Sequence, residues 1–313
     1  MNQKLPFLPV VLAAVALLFS GCSDGVKEKE AVQQAIRKQS EIQQFRFSGS
    51  GSFGWDTPGA ASSSASNLLT TALAGAVNGA QLEWSGIASY NPVRLETNVQ
   101  MTTRSGNSFQ IPFLIKDNKM YAQIPLLNKK DEYYSFDLAK PAGSSSPGAL
   151  PSDALARTRD EMTRMLDSLL SGVEPKWFKE DKLDDAGAGK QYSIEITEAN
   201  AAELSKQMEA GLDGWTGQLQ AITGGTWSGP PKLAGMQLQA PGYIRLGVNP
   251  ESFLEQISLD LNALPAASSP APGTYRFKLD YSLSDINEPI SFEQNVPAAV
   301  KPFEDLWKLL PKK

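Results

Sequence analysis

The sequence of 313 residues contains no histidine and a single cysteine. Without histidine, a Ser-His-Asp triad, a Cys-His pair and a histidine-ligated zinc site are all excluded. One cysteine cannot form an intramolecular disulfide or hold an iron–sulfur cluster. The G-x-S-x-G and S-x-x-K motifs of serine hydrolases are also missing. We therefore expect a protein that is not an enzyme and that uses no cofactor and no metal.

Basic residues are scarcer than acidic ones, with 29 Lys and Arg against 34 Asp and Glu. This balance argues against a nucleic acid as the partner. No acidic cluster has the spacing of a calcium-binding loop. A solvated acidic surface is the favoured interpretation, but a pair of glycosidase carboxylates stays open, because such pairs meet only in the folded chain.

The longest hydrophobic run lies at the N-terminus and is too short to span a bilayer. It follows Lys4 and covers the fifteen residues 5–19, whereas a spanning helix needs about 20 residues. Small residues then lead directly to Cys22, as in the lipobox of bacterial lipoproteins, although Phe19 stands where that motif usually has leucine. The pattern predicts a signal peptide over residues 1–21 and diacylglycerol on the cysteine.

Lipidation at Cys22 would anchor the chain in the cell membrane on its extracytoplasmic face, with residues 22–25 as a tether. One acyl chain, such as a palmitate, binds a membrane only marginally, whereas two or three chains attach a protein stably. An ordinary secretory signal with a chance cysteine, or a buried core thiol, would explain the same residue differently. No later apolar run is long enough to span a membrane.

From Phe45 onward, apolar and polar residues alternate with period two in one segment after another. Such alternation is typical of antiparallel strands with one buried and one solvated face. We count about ten or eleven strands, the last of them containing Ile290, Phe292 and Val296. The residues Lys116 to Lys119 predict a tight hairpin turn, since Asp117 and Asn118 tolerate positive φ.

Helical spacing of apolar residues appears in four places. The first segment contains Val32 and Ile36, the second covers residues 155–169, and the third contains Leu204, Met208 and Leu212. A C-terminal stripe of four apolar residues predicts a last helix, and it consists of Val300, Phe303, Trp307 and Leu310.

Three stretches rich in Ser, Ala, Gly and Pro, residues 58–66, 141–152 and 265–273, predict long surface loops. The strand pattern has the same character on both sides of each, so we expect one domain over residues 26–313. Between the first loop and the next strand, residues 67–80 form an apolar segment with two glycines. We interpret it as a mobile gate over a cavity, with a permanently packed insertion as the alternative.

The segment Gly49 to Gly54 matches the nucleotide-binding pattern G-x-G-x-x-G. A dinucleotide site would require a helix to begin there and an acidic residue about 20 positions later. Pro58 and a loop follow instead. We therefore expect these glycines to flatten a bent strand or to let a helix approach it.

The chain resembles the LolA/LolB and LppX/LprG group of bacterial envelope lipoproteins, and most closely its Gram-positive lipoproteins. The resemblance rests on the lipobox, the helix that ends near Ile42, the strand from Phe45, the hairpin over residues 113–121 and the terminal segment 281–289. It implies an α+β fold in which a strongly curved antiparallel sheet, an unclosed barrel, carries helices over its concave face. Several members of the group hold lipids in the enclosed space.

Two functions follow as hypotheses from different classes. The first is a lipid-anchored protein that binds a lipid or other hydrophobic ligand between sheet and helices. The second is a structural or sensory envelope module whose core is filled and whose partner is an unidentified protein. For the first, we predict the cavity-lining residues to be the large apolar ones on strand faces and on the second helix, namely Phe47, Phe53, Trp55, Trp84, Met101, Phe113, Met162, Met165 and Leu166.

Overall fold

A computed structural model describes residues 25–56, 78–123, 129, 132–138, 154–181, 189–209, 236–265, 273–302 and 305. In this part of the chain, twelve strands form one sheet that does not close on itself. The strands are β1 Gln44–Asp56, β2 Gln81–Tyr90, β3 Val93–Thr102, β4 Ser108–Lys116, β5 Lys119–Ala122, β6 Glu132–Asp137, β7 Phe178–Asp181, β8 Lys190–Ile196, β9 Gln237–Val248, β10 Leu254–Leu264, β11 Thr274–Ser284 and β12 Ala299–Pro302.

Two meanders build the sheet, whose strand order is β12-β6-β5-β4-β3-β2-β1-β11-β10-β9-β8-β7. The first runs outward from β1 to β6. The second begins at the opposite edge with β7 and returns to β11, which pairs with β1 over eleven residue pairs. All pairings are antiparallel except that of β12 with β6. The centre of the sheet is therefore formed by strands that lie more than 200 residues apart in the sequence.

The register brings apolar side chains to one face across the whole sheet. Phe53 lies opposite Phe277, and Gly49 lies opposite Trp84. The alternate positions of β1, which face the other side, are polar at Ser48, Ser50 and Ser52. Because side chains alternate along a strand, the register gives the sheet an apolar face and a polar face. Two register shifts between β9 and β10 leave this division intact, with Ala263 opposite Leu238. The predicted fold is confirmed in this coarser form, as a large and mostly antiparallel open sheet.

Three longer helices accompany the sheet within the described residues: α1 Val26–Lys38, α2 Ala154–Ser171 and α3, residues 201–209. Two short 3-10 helices cover Gln39–Glu41 and Pro175–Trp177, and Asp305 is also helical. Helix α1 presents Val32 and Ile36, both fully buried, to Ile194 and Leu246 on the apolar face. Helix α3 adds Leu204 to this cluster. The described helices therefore pack at the β7–β10 end of the apolar face, which leaves unconfirmed the prediction that helices cover a concave face.

The β4–β5 turn has the geometry that its residues predict. Asp117 and Asn118 have φ angles of 52° and 57°, and Lys116 pairs with Lys119 on the return strand. Two consecutive residues with positive φ match the twist of the flanking strands. This turn is confirmed.

The predicted last strand is wrong, and Val300 does not belong to the predicted C-terminal helix; Asp305 is helical, and Phe303, Trp307 and Leu310 lie outside the described residues. Residues 289–297, which include Ile290, Phe292 and Val296, form no strand. Val300 belongs to strand β12 and not to a helix. Short strands also escaped the pattern, because β7 and β12 have only four residues each and show no full cycle of alternation.

The segment after β11 crosses the polar face and is held there by Glu96, whose side chain is only 6% exposed. This carboxylate accepts hydrogen bonds from the backbone N–H of Glu293 at 3.0 Å and of Gln294 at 2.9 Å. It also pairs with Arg94 at 3.0 Å, whose guanidinium lies 4.6 Å from the ring centre of Phe292. Three apolar or aromatic neighbours of Glu96 in register are buried as well, namely Ile87, Leu114 and Tyr121.

None of the described helices is both long and apolar enough to cross a membrane.

Candidate ligand-binding face

Aromatic side chains concentrate on the apolar face where β2, β1 and β11 lie side by side. They are all half-buried, and they occupy alternate positions on each strand. We call this group the aromatic surface, and its members are Phe47, Phe53, Trp55, Trp84, Tyr275, Phe277 and Tyr281.

The rings of the aromatic surface contact one another in two groups. Phe53 packs against Trp55 with ring centres 5.5 Å apart, and it stacks on Tyr275 at 6.1 Å. Phe47 lies 6.5 Å from Tyr281. These separations fall within the range in which aromatic pairs attract beyond simple burial, by about 0.5–1.5 kcal/mol each. The rings therefore line one stretch of the apolar face across three strands, with two groups of rings in contact.

Glycines beneath the rings allow them to lie flat on the sheet. A Cβ atom at Gly49 would come within 2.6 Å of the Trp84 ring, and one at Gly86 within 2.7 Å of the Phe47 ring. The first of these glycines belongs to the G-x-G-x-x-G segment, which lies wholly inside β1 and opens no helix. The segment is therefore part of a strand, as expected, but an aromatic ring, and not a helix, approaches Gly49.

Among the described side chains of helix α2, Arg159 contacts Tyr90, which lies on the apolar face beside the aromatic surface. The Arg159 guanidinium lies 4.7 Å from the ring centre of Tyr90 and donates a hydrogen bond to the backbone oxygen of Ile42 at 3.0 Å. Tyr90 and Phe47 pack on a small cluster around the buried Phe45. This cluster around Phe45 therefore joins the helical end of the apolar face to the aromatic surface.

The predicted cavity-lining residues fall into two separate places. The six on strands, Phe47, Phe53, Trp55, Trp84, Met101 and Phe113, all lie on the apolar face. Leu166, on α2, packs instead on the cluster of α1, β8 and β9. Met165 is half-buried on the same helix. The side chain of Met162, Cys22 and residues 67–77 of the predicted gate lie outside the described part of the chain.

Tyrosines on β11 complete the surface, and sequence reasoning had not selected them as site residues. Burial raises the pKa of the Tyr281 hydroxyl, and the nearby Tyr90 raises it further. The hydroxyl is therefore neutral at physiological pH and adds no charge to the apolar face. The alternation of Tyr275, Phe277 and Tyr281 marked β11 as a strand, but only its pairing with β1 puts these rings beside Phe53 and Phe47.

Metal-ligating side chains do not gather anywhere in the described structure. In this part of the chain, no three residues of the types His, Cys, Asp and Glu lie close enough together to hold a metal ion.

No protein-family model matches the sequence, and no curated protein matches it. Among solved structures, lipovitellin, in a structure concerned with its lipid–protein interactions, matches with a TM-score of 0.24 and 9% identity. That match covers 82% of this chain and 26% of lipovitellin, so the chain spans about a quarter of that protein. A porin-like protein from Bacteroides uniformis matches with a TM-score of 0.21 and 11% identity, over 78% of this chain and 97% of the other. Neither score supports an argument about function.

Proposed function

We propose that this chain is a non-catalytic lipoprotein, anchored on the extracytoplasmic face of the cell membrane, that binds a lipid or other hydrophobic molecule. The aromatic surface carries the proposal. Its rings are half-buried and form one apolar area, whereas the described helices pack mainly at the other end of the same face. An acyl chain laid on this surface would lose contact with water. Burying apolar area in this way stabilises a complex by about 25 cal/mol for each Å².

The aromatic surface suits a ligand of variable shape. Aromatic rings offer large contact areas with few rotatable bonds, so that ordering them on binding costs little entropy. Met101 and Phe113 extend the apolar face onto β3 and β4. A flexible methionine side chain fills irregular gaps beside a ligand.

The anchor is tested by Cys22→Ser. We expect the variant to carry no lipid at residue 22 and to be released from membranes into the soluble fraction. The physical reason is that acyl chains supply the membrane affinity, at about 0.8 kcal/mol for each buried methylene. Fractionation and mass spectrometry of the N-terminal peptide measure both effects. The anchor is contradicted if Cys22→Ser binds membranes as wild type does and the wild-type N-terminal peptide carries no lipid on Cys22.

Ligand binding is tested with two neighbouring positions of β1 that face opposite sides of the sheet. Phe53→Gln removes a ring from the aromatic surface, whereas Ser52→Gln places the same side chain on the polar face. Burying a phenylalanine contributes about 1.5–3 kcal/mol, so we expect Phe53→Gln to weaken binding of a fluorescent fatty acid about tenfold or more. Ser52→Gln should bind as wild type does.

The same measurement decides between the two hypotheses. If wild-type protein binds no fluorescent fatty acid, and organic extraction of protein purified without detergent yields no lipid by mass spectrometry, the binding proposal fails. The filled-core module with a protein partner would then be favoured. Equal loss of binding in Phe53→Gln and Ser52→Gln would show that the aromatic surface is not the site.

A further inference from the structure

A groove lies on the polar face of the sheet, opposite the aromatic surface. Its volume is about 430 Å³, which falls within the range of small-ligand sites. Polar side chains from four adjacent strands dominate the lining, with the backbone of Gly49 and Trp84 in the floor. We call it the polar groove, and its polar residues are Ser48, Ser50, Glu83, Ser85, Asn98, Gln100, Asp280 and Ser282.

The register arranges these side chains as two parallel rows across the strands. One row runs Asn98, Ser85, Ser48, Ser282, and the other runs Gln100, Glu83, Ser50, Asp280. Neighbouring strands are about 4.8 Å apart, and the rows, two residues apart along each strand, are separated by about 6.8 Å. On β1, the two rows have Ser48 and Ser50. Their short side chains leave the middle of the groove open.

The lining groups are free to bind a ligand. Among the described residues, the side chains of these eight positions make no hydrogen bond and no ion pair. Two ion pairs lie near the groove on the same face: Lys278 with Asp260 at 2.8 Å, and Arg276 with Asp56 at 3.5 Å. The groove thus gathers eight polar side chains that have no protein partner in the described part of the chain, two of them carboxylates.

The chemistry of the groove selects against anions. Glu83 and Asp280 are its two charged groups, both acidic, and they stand on either side of Ser50. Six neutral hydroxyl and amide groups surround them, and each of these both donates and accepts hydrogen bonds. Carboxylates accept hydrogen bonds from hydroxyl groups and bind them more strongly than neutral acceptors do. A ligand rich in hydroxyl groups can pair with the donors and the acceptors of all eight side chains, whereas a cation can pair only with their oxygen acceptors and leaves the amide N–H donors of Asn98 and Gln100 without a partner.

We propose that the polar groove binds a neutral oligosaccharide. The groove lies on the face opposite the aromatic surface, so this inference stands independently of lipid binding. The protein would then hold a glycan on one face of its sheet, whatever the other face binds.

The proposal is tested by isothermal titration calorimetry of the full chain with chitohexaose, cellohexaose and maltohexaose, and with spermine as a cationic probe. We expect at least one hexasaccharide to bind and spermine not to bind. Ser50→Trp fills the centre of the groove and should abolish binding. Glu83→Gln, which removes a charged acceptor but keeps the shape, should weaken it about tenfold.

Asp56→Asn is the matched control, because this carboxylate lies on the same face of β1 but outside the groove. It should bind the sugar as wild type does. Should Ser50→Trp fail to fold, the double variant Glu83→Gln with Asp280→Asn replaces it. The proposal is overturned if none of the three sugars binds, if spermine alone binds, or if Asp56→Asn weakens sugar binding as much as Glu83→Gln.

Discussion

Replacing Glu96 with alanine should lower the free energy of unfolding by about 3–5 kcal/mol, the cost of breaking a buried ion pair by removing one partner. The substitution leaves the backbone N–H groups of Glu293 and Gln294 without their acceptor and removes the ion-pair partner of Arg94, whose guanidinium keeps its hydrogen bond to the backbone oxygen of Gln294 at 3.1 Å. Unsatisfied polar groups of this kind are expensive when water cannot replace the lost partner. Chemical denaturation measures the loss.

The same substitution should release the segment after β11 locally. Backbone amides of Glu293 and Gln294 should exchange with deuterium much faster in Glu96→Ala, while the amides of β9 and β10 keep their protection. Glu96→Gln, which keeps one oxygen acceptor, should lose about half as much stability. Asn98→Ala is the control, because Asn98 is exposed on the same face of β3. A loss in Glu96→Ala no larger than in this control would show that the carboxylate does not hold the segment.

Ile194→Ala should destabilise the protein by about 2–5 kcal/mol, as large-to-small substitutions in cores do. Ile194 is fully buried, lies in register between Phe178 and Ile244, and shares its cluster with Val32 and Ile36 of α1. The cavity left behind would therefore loosen the contact of the helix with the sheet. Thermal and urea denaturation give the loss.

Glu195→Ala provides the matched control at the next position of β8. Its carboxylate lies on the other face and pairs with Lys179 at 2.8 Å, with both side chains 59% exposed. Exposed ion pairs contribute about 0–1 kcal/mol. If the two alanine variants lost equal stability, Ile194 would not be part of a packed core, and the placement of α1 on the apolar face would be wrong.

Local patterns predicted the elements that are long enough to show a full period. The change from helix to strand near Phe45 is found where expected, since α1 ends at Lys38 and β1 begins at Gln44. The helix expected over residues 155–169 is α2, Ala154–Ser171. The spacing of Val300 to later apolar residues is helical, whereas its backbone pairs with Tyr133 of β6. A long-range partner decides the state of a four-residue segment.

The candidate site was predictable only in part. Alternation identified Phe47, Phe53 and Trp55 as apolar-face residues without any knowledge of their neighbours. It could not assign Leu166, because helical spacing defines a face of the helix but not what that face contacts. It also could not find the role of Glu96, since an isolated glutamate in a strand looks like any solvated charge until the chain returns to cover it.

The sequence by itself determined which side chains share a face of each strand, where the main helices begin, and which catalytic chemistries are excluded. These properties depend on residue type and on periods of 2 and 3.6, which are local. Only the tertiary structure decided that β1 pairs with β11, that Tyr275 stacks on Phe53, and that Ser50 lies between Glu83 and Asp280. The reason is physical: strand pairing is set by the combined burial and hydrogen bonding of segments that lie far apart in the chain, and no local pattern records those energies.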